Sequence, residues 1–383
     1  MKLRVIQSIE CLERIKPIWD GHLQRAENNN PFIEFDWIFL WWSVFGQQYE
    51  LFVIAIEEDE DVKVILPLMK RKGLFIEHIY FIGYGQANYM DAIANDVELA
   101  KAIEFIMQHL FNSKKPRLFH FHGLFEDSDF YFPLYQYLQV KRIANYRSMI
   151  VCPVLQLTEI QFDQYFAKRK KKHSLDRKER RLKELGAVSF EPLRKNDIEK
   201  MFSLHTKRWE EKNDTSGFSE GKTKDFFQKL LQAESAAFQT KVDALYVDDR
   251  LIAYLYGFEC RTRYLFYLPA HDDDYGKFSP GRILFKQKIA DCVQSEIEIF
   301  DMSIGYEPYK FDWSNETKFA ARFIFPSKHS LARIFYFVYS AKARLIDSLK
   351  KNRKLVLFKR NFLGKVKSRV LKSLPFWHGG KKG

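Results

Sequence analysis

The sequence predicts an α+β fold built as two halves with mixed sheets, followed by a basic amphipathic helical tail. Three observations carry that expectation. The chain has 383 residues, more than one hydrophobic core usually supports. Its apolar periodicities run twice through the same order of elements, β-α-α-β-β-β-α-β. Its positive charge gathers at one end: residues 327–383 hold 16 Lys and Arg against a single acid, Asp347, so that segment carries +15 and residues 1–326 carry −2 of a net +13.

In the first half, KLRVIQS alternates as a strand, residues 11–25 follow a helical period, and FDWIFLWWSVF forms an aromatic helix. The runs LFVIAIE, VKVILPLMKR and IYFIGYG read as meander strands. A helix over 97–111, a strand RLFHFHG and a short helix over 131–138 follow. After a strand over 151–157 comes a long charged helix over about 161–185, which Gly186 ends. The order then repeats: strand AVSFEPL, helices over 197–211 and 222–233, and strands AAFQTKVDALYV, RLIAYLYGFEC and TRYLFYLPA. Helix 281–294 and strands IEIFDMS and AARFIFP complete it. Three meander strands, a helix and a parallel return strand specify a mixed sheet. The expected units are 1–150, 151–326 and the tail 327–383.

Leu331, Ile334, Phe335, Phe337, Val338 and Leu345 interleave with the lysines and arginines of the tail, as on an amphipathic helix. Three readings remain open for it: packing on the body, an anionic membrane surface, and nucleic acid. Cys11, Cys152, Cys260 and Cys292 form no C-x-x-C pair, so neither a disulfide framework nor a zinc knuckle is indicated. No apolar run approaches the roughly 18–20 residues of a membrane span. A cytoplasmic protein that can sit peripherally at the inner membrane face is the expectation. The sequence holds no G-x-S-x-G elbow, P-loop or G-x-G-x-x-G fingerprint, so hydrolase, kinase and dehydrogenase readings have no foothold.

The informative motifs are Asn30-Pro31-Phe32 with Trp37, Trp41 and Trp42; Tyr84-Gly85-Gln86-Ala87-Asn88-Tyr89-Met90-Asp91; and Leu204-His205-x-x-Arg208-Trp209. Two more follow: Phe278-Ser279-Pro280-Gly281-x-x-Leu284, and Asp301-x-x-x-Gly305-x-Glu307-x-Tyr309-Lys310-x-x-Trp313. Their order along residues 1–326 resembles tandem GNAT acyltransferase domains of the cellulose-biosynthesis (CelD/BcsL-like) acetyltransferase type, relatives of the FemABX peptidyltransferases. The resemblance implies an N-acyltransferase using acetyl-CoA or another acyl-CoA as co-substrate, with no permanently bound cofactor. The implied acceptor is an amino sugar or lipid-linked saccharide of cell-envelope or exopolysaccharide synthesis. Two alternatives stay open: a FemABX-like transferase using aminoacyl-tRNA on a peptidoglycan precursor, and a catalytically inactive scaffold. Binding of tRNA is expected only under the first of these.

The turn at Ser279-Pro280-Gly281 has its own physical rationale. It joins a strand to a helix N-terminus, where free backbone N–H groups suit an anionic diphosphate. Pro fits the first turn and Gly permits close approach; Lys277 and Arg282 add positive charge. The family's donor loop carries more glycines than stand here, and a plain strand-to-helix turn is the other reading. In the stretch after Asp301, the resemblance implies Glu307 as base, Tyr309 as acid for the leaving thiolate and Lys310 as an anion contact. Asn88, Tyr89 and Asp91, with Arg208 and Trp209, are the expected acceptor contacts. Residues 168–183 carry Lys or Arg at ten of sixteen positions, either a solvated helix or a positive face over a phosphate entry. The run 271–274, His-Asp-Asp-Asp, reads as a loop rather than a metal site, because three adjacent acids cannot all face one ion; no metal is expected.

Overall fold

The computed structural model describes residues 1–94, 99–169, 172–211 and 221–351. The first half opens with β1 (Lys2–Ile6), α1 (Ile9–Arg14) and α2 (Lys16–Arg25). One helix was expected over 11–25. It divides because Pro17 sits in the first turn of α2, where its missing N–H costs no helical bond. Ser8 caps α1 by accepting from the Cys11 amide. The aromatic segment forms α3 (Phe35–Phe45), whose Trp37, Ile38 and Trp41 are buried. Strands β2 (Glu50–Leu51), β3 (Val53–Glu58), β4 (Asp61–Leu66), β5 (Leu68–Lys72) and β6 (Glu77–Phe81) follow. Pro67 stands where β4 ends and β5 begins, and the chain there passes from one sheet to another. After β7 (Ile93–Ala94), α4 (Leu99–Phe111) leads to β8 (Arg117–Phe125), which lies parallel to β6. α5 (Tyr131–Val140) and β9 (Tyr146–Gln156) end the half; residue 150, the expected boundary, falls inside β9.

The second half runs α6 (Phe162–Ala167), α7 (Lys172–Lys183), β10 (Val188–Pro192), α8 (Ile198–Glu211), α9 (Gly221–Gln232), then meander strands β11 (Gln239–Val247), β12 (Arg250–Cys260) and β13 (Arg263–His271). α10 (Pro280–Gln294) precedes β14 (Ile299–Asp301), which is parallel to β13; α11 (Pro308–Phe311), β15 (Glu316–Pro326) and α12 (Ser330–Lys351) follow. The single charged helix expected over 161–185 is two. Arg169 turns back between them, its guanidinium donating to the Asp312 carbonyl at 3.0 Å and lying over the Tyr165 ring at 3.8 Å. Five consecutive basic residues at 168–172 also repel one another along a continuous helix.

Among the described residues the strands form two sheets. One, antiparallel throughout, has the order β1-β3-β4-β7; the other is mixed and has eleven strands, β10-β11-β12-β13-β14-β9-β15-β8-β6-β5-β2. The halves exchange their last strands: β9, which ends the first, pairs with β14 of the second, while β15, which ends the second, pairs with β8 of the first. The long antiparallel β9–β15 pair, Glu316 to Ile324 against Val154 to Tyr146, lies between them. This exchange fuses the two halves through continuous backbone hydrogen bonding. The core crosses the same junction. Phe32 packs edge-on against Trp37 and Tyr89 of its own half and against Phe258 of the other, and Trp37 meets Phe226 at 5.5 Å between ring centres. Removing one such fully buried aromatic costs about 3–5 kcal/mol.

The inner face of α12 packs Ala332, Tyr336 and Ala343 against Ile76, Leu118 and Ile324, and Asp347 accepts from Tyr146 and Arg322. The rest of the expected tail, 352–383, lies outside the described residues.

Candidate functional site

Strands β13 and β14 hold together for only three residues, Arg263 to Leu265 against Ile299 to Asp301. Beyond Leu265, β13 continues to His271 with β12 alone as partner, and a bulge at Tyr267 shifts its register. The two parallel strands therefore part, and α10 begins at the opening. Where β13 runs on past β14, a hollow of about 200 Å³ opens beside it and the start of α10; its walls include Phe266, Ala270, His271, Ser279, Gly281 and Tyr309.

Local sequence sets the start of α10. Ser279, its N-cap, lies in the left-handed region (φ 57°, ψ 52°), a conformation few non-glycine residues adopt. Its hydroxyl makes no capping bond and instead accepts from the Lys178 ammonium of α7 at 2.7 Å. Pro280 occupies the first turn. Arg282 and Ile283 donate to the Ser279 carbonyl, whereas Gly281, as the second helical residue, has no carbonyl within its own helix for its N–H. A Cβ at Gly281 would sit 3.3 Å from His271 Nδ1, so the backbone is approached closely here. The turn expected from sequence to present amides thus borders an open hollow.

Positive charge surrounds it. Arg282 pairs with Asp312 at 2.9 Å and stands between this hollow and a second of about 310 Å³, lined by Lys168, Arg169 and Lys172 together with Phe166 and Trp313. The Phe166 and Trp313 rings stack 5.8 Å apart, and Lys286 ties α10 to α7 through Asp176 and Glu179. The basic helix expected over 168–183 therefore borders the opening rather than standing apart in solvent. Nearby acids have partners: Arg250 pairs with Asp272 at 2.6 Å and Asp274 at 2.8 Å, and Asp273 lies 3.4 Å from the imidazole of His271. Lys277 is exposed, its ammonium 5.0 Å from the centre of the Phe278 ring, on the turn leading into α10.

Tyr309 lines the hollow, its ring edge-on to Phe285 at 5.9 Å. Glu307 does not; it is exposed on the loop before α11, with its carboxylate 3.0 Å from Lys310. Lys310, expected as an anion contact, is buried, and its ammonium donates to the Ile304 carbonyl at 2.7 Å, which fastens the loop. His271 is the side chain that sequence reasoning passed over. Only its neighbours' charge drew notice, whereas the end of β13 brings its ring to the mouth of the hollow.

The expected acceptor contacts separate. Asn88 donates to Ser303 Oγ at 2.6 Å, and the fully buried Tyr89 donates to Asp301 Oδ1 at 2.8 Å. Both side chains, expected as acceptor contacts, bond across the two halves. Arg263, 3.4 Å from Asp301, belongs to the same buried joint. Asp91 lines a different hollow of about 380 Å³, with Asn28, Asn30, Asp127 and Arg263 among its walls. Arg263 starts β13 and His271 ends it, so the two hollows lie at opposite ends of a strand roughly 26 Å long. Asp91 therefore does not share a site with Tyr309. Burial pushes its carboxyl up to about 7, against hydrogen bonds from Ser128 and the Ala92 amide that lower it. Arg208 and Trp209 fall on α8, but their side chains lie outside the described residues.

Comparison with known proteins agrees with this geometry. Residues 169–311, which contain α7, the splayed strands and α10, match the family described as "Acetyltransferase (GNAT) domain". The fold is shared with FemX (TM-score 0.58, 9% identity, covering 84% of this chain and 97% of that one). It is shared too with a conserved protein of unknown function from Bacteroides thetaiotaomicron (TM-score 0.54, 9% identity, 85% and 99%). A third is the C-terminal domain of a putative lysylphosphatidylglycerol synthetase from Agrobacterium fabrum (TM-score 0.51, 10% identity, 86% and 96%). No curated protein matches the chain. The architecture is α+β, with a mixed eleven-stranded sheet that both halves share, and the match to the GNAT domain family falls on the second half.

Proposed function

We propose that the second half transfers an acyl group from acyl-CoA to an amine, with the donor's diphosphate at the N-terminus of α10. The observation that carries this reading is the open hollow where β13 and β14 part, bordered by the Gly281 backbone and flanked by Lys178, Arg282 and the cations of the second hollow. Backbone amides at a helix start and nearby cations together favour a dianionic group.

In the transfer, the amine nitrogen, once deprotonated, attacks the thioester carbonyl; the C–N bond forms, the C–S bond breaks, and the thiolate leaves and takes a proton. Tyr309, inside the hollow, is placed to supply that proton. His271, at its mouth, is placed to accept the amine's proton, a role for which the exposed Glu307 stands farther out. The aromatic and aliphatic wall formed by Phe266, Ala270 and Phe285 excludes water from the acyl group. An amino sugar or lipid-linked saccharide is the acceptor class we favour: the basic second hollow, lined by Lys168, Arg169 and Lys172, offers phosphate contacts.

Titration calorimetry with acetyl-CoA, followed by a thiol-release screen of amino-sugar acceptors, tests the reading. Saturable binding and acceptor-dependent thiol release are expected. Retention of aminoacyl-tRNA without binding of acyl-CoA would move the assignment to aminoacyl transfer, and binding of neither would leave an inactive scaffold.

A further inference from the structure

Helix α12 is apolar on two opposite faces. At about 100° per residue, Ala332, Tyr336, Ser340, Ala343 and Asp347 fall on one side, and these face the body. Ile334, Val338, Leu345 and Leu349 fall on the other and project into solvent; the first three are 60–62% exposed. A helix that only packed on the body would carry polar residues there. Arg333 and Arg344 flank the outward stripe on one side and Lys342 on the other, all exposed. Beside the helix, the turn between β5 and β6 holds out Leu74 and Phe75, 89% and 63% exposed, directly before Ile76, which packs in the same cluster as Ala332.

Charge decides what this surface meets. Asp347, the single acid of residues 327–351, is turned inward onto Tyr146 and Arg322, so the outward rim is cationic throughout. Lys328 adds to it, as do Lys114 and Lys115 on the loop before Arg117, whose amide bonds Ser327 at the start of the tail. The sequence beyond residue 351 carries ten further Lys and Arg and no acid. A second copy docking stripe to stripe would bring these rims of like charge together. Among the described residues no helix is long and apolar enough to cross a membrane. We infer that the outward face of α12, with the Leu74–Phe75 turn, docks on an anionic lipid bilayer surface, the apolar stripe entering the interface and the flanking cations meeting the headgroups. This surface is separate from the acyl-transfer site and stands without it.

The test is sedimentation of the full chain with vesicles of phosphatidylcholine alone and of phosphatidylcholine mixed three to one with phosphatidylglycerol. The chain is expected to favour the anionic vesicles by at least about tenfold. The variant I334S/V338S/L345S, altered only at solvent-facing positions and checked for native circular dichroism, is expected to lose about tenfold or more of that binding; so is R333Q/K342Q/R344Q. Three results would overturn the inference: equal binding to both vesicle types or to neither, wild-type binding by the serine variant, or a wild-type dimer in sedimentation equilibrium that the serine variant dissolves.

Discussion

Placing an aspartate at Gly281 separates an anion cradle from an ordinary helix start. Gly281 is the second residue of α10, and a side chain there would meet the His271 ring at 3.3 Å from its Cβ. A carboxylate roughly 5 Å from a phosphate charge, at an effective dielectric of about 20, repels it by about 3 kcal/mol. Since 1.4 kcal/mol is tenfold in affinity, the dissociation constant for acetyl-CoA should rise by roughly 100-fold in G281D. Stability should move the other way. An acid in the first turn complements the helix dipole by about 0.3–1 kcal/mol, and glycine is a poor helix former. G281D should therefore unfold no earlier than the wild type while failing to bind donor. G281A adds only the methyl group, whose contact His271 can relieve by a few tenths of an ångström, and should lose no more than about fivefold. Calorimetric titration with acetyl-CoA, alongside thermal unfolding, reads all three proteins. Wild-type affinity in G281D would refute the cradle, and so would equal losses in G281A and G281D.

Other expectations follow from the same geometry. Y309F keeps the ring against Phe285 but removes the proton, so kcat should fall about 100-fold with donor affinity within about twofold; an unchanged kcat in steady-state thiol release would remove Tyr309 from the chemistry. Y89F strips a donor from the buried Asp301 and should cost about 1–3 kcal/mol in urea unfolding, and a loss below about 0.5 kcal/mol would show that the joint is already satisfied by the Ser303 amide. Burial lowers His78 to about 4, His120 to about 3 and His122 to about 4. The unfolded chain therefore binds more protons than the native one below about pH 6.5. The histidines' contribution should be full above that pH and be lost as the solution is acidified toward pH 3–4; Asp91, raised to about 7, acts in the opposite sense and offsets part of the loss. Three histidines outweigh one carboxyl, so a melting temperature flat from pH 7 to pH 4 would contradict these directions.

Local signals were legible where side chains act on their own backbone. The aromatic run at 35–45 specified α3 because its apolar density and helical spacing need no distant partner, and Pro280 with Gly281 marked the start of α10 within one residue. The basic segment at 168–183 announced its charge but not its break, because the turn at Arg169 is held by the Asp312 carbonyl, far off in sequence. The exchange of β9 and β15 left no local trace: both read as strands, and which strand each would pair with is settled by tertiary packing. Tyr89 and Asp301, 212 residues apart, were each singled out, yet nothing in either segment tells that one is bonded to the other rather than to a ligand. His271 was obscured by three acids that, in the fold, are held by Arg250 or by the ring itself.

The most direct measurement is a crystal structure with coenzyme A bound. The account expects diphosphate density at the N-terminus of α10, within hydrogen-bond reach of the Gly281 amide, and the pantetheine arm running between β13 and β14 toward Tyr309. A diphosphate bound elsewhere, or an empty hollow at saturating coenzyme A, would contradict it.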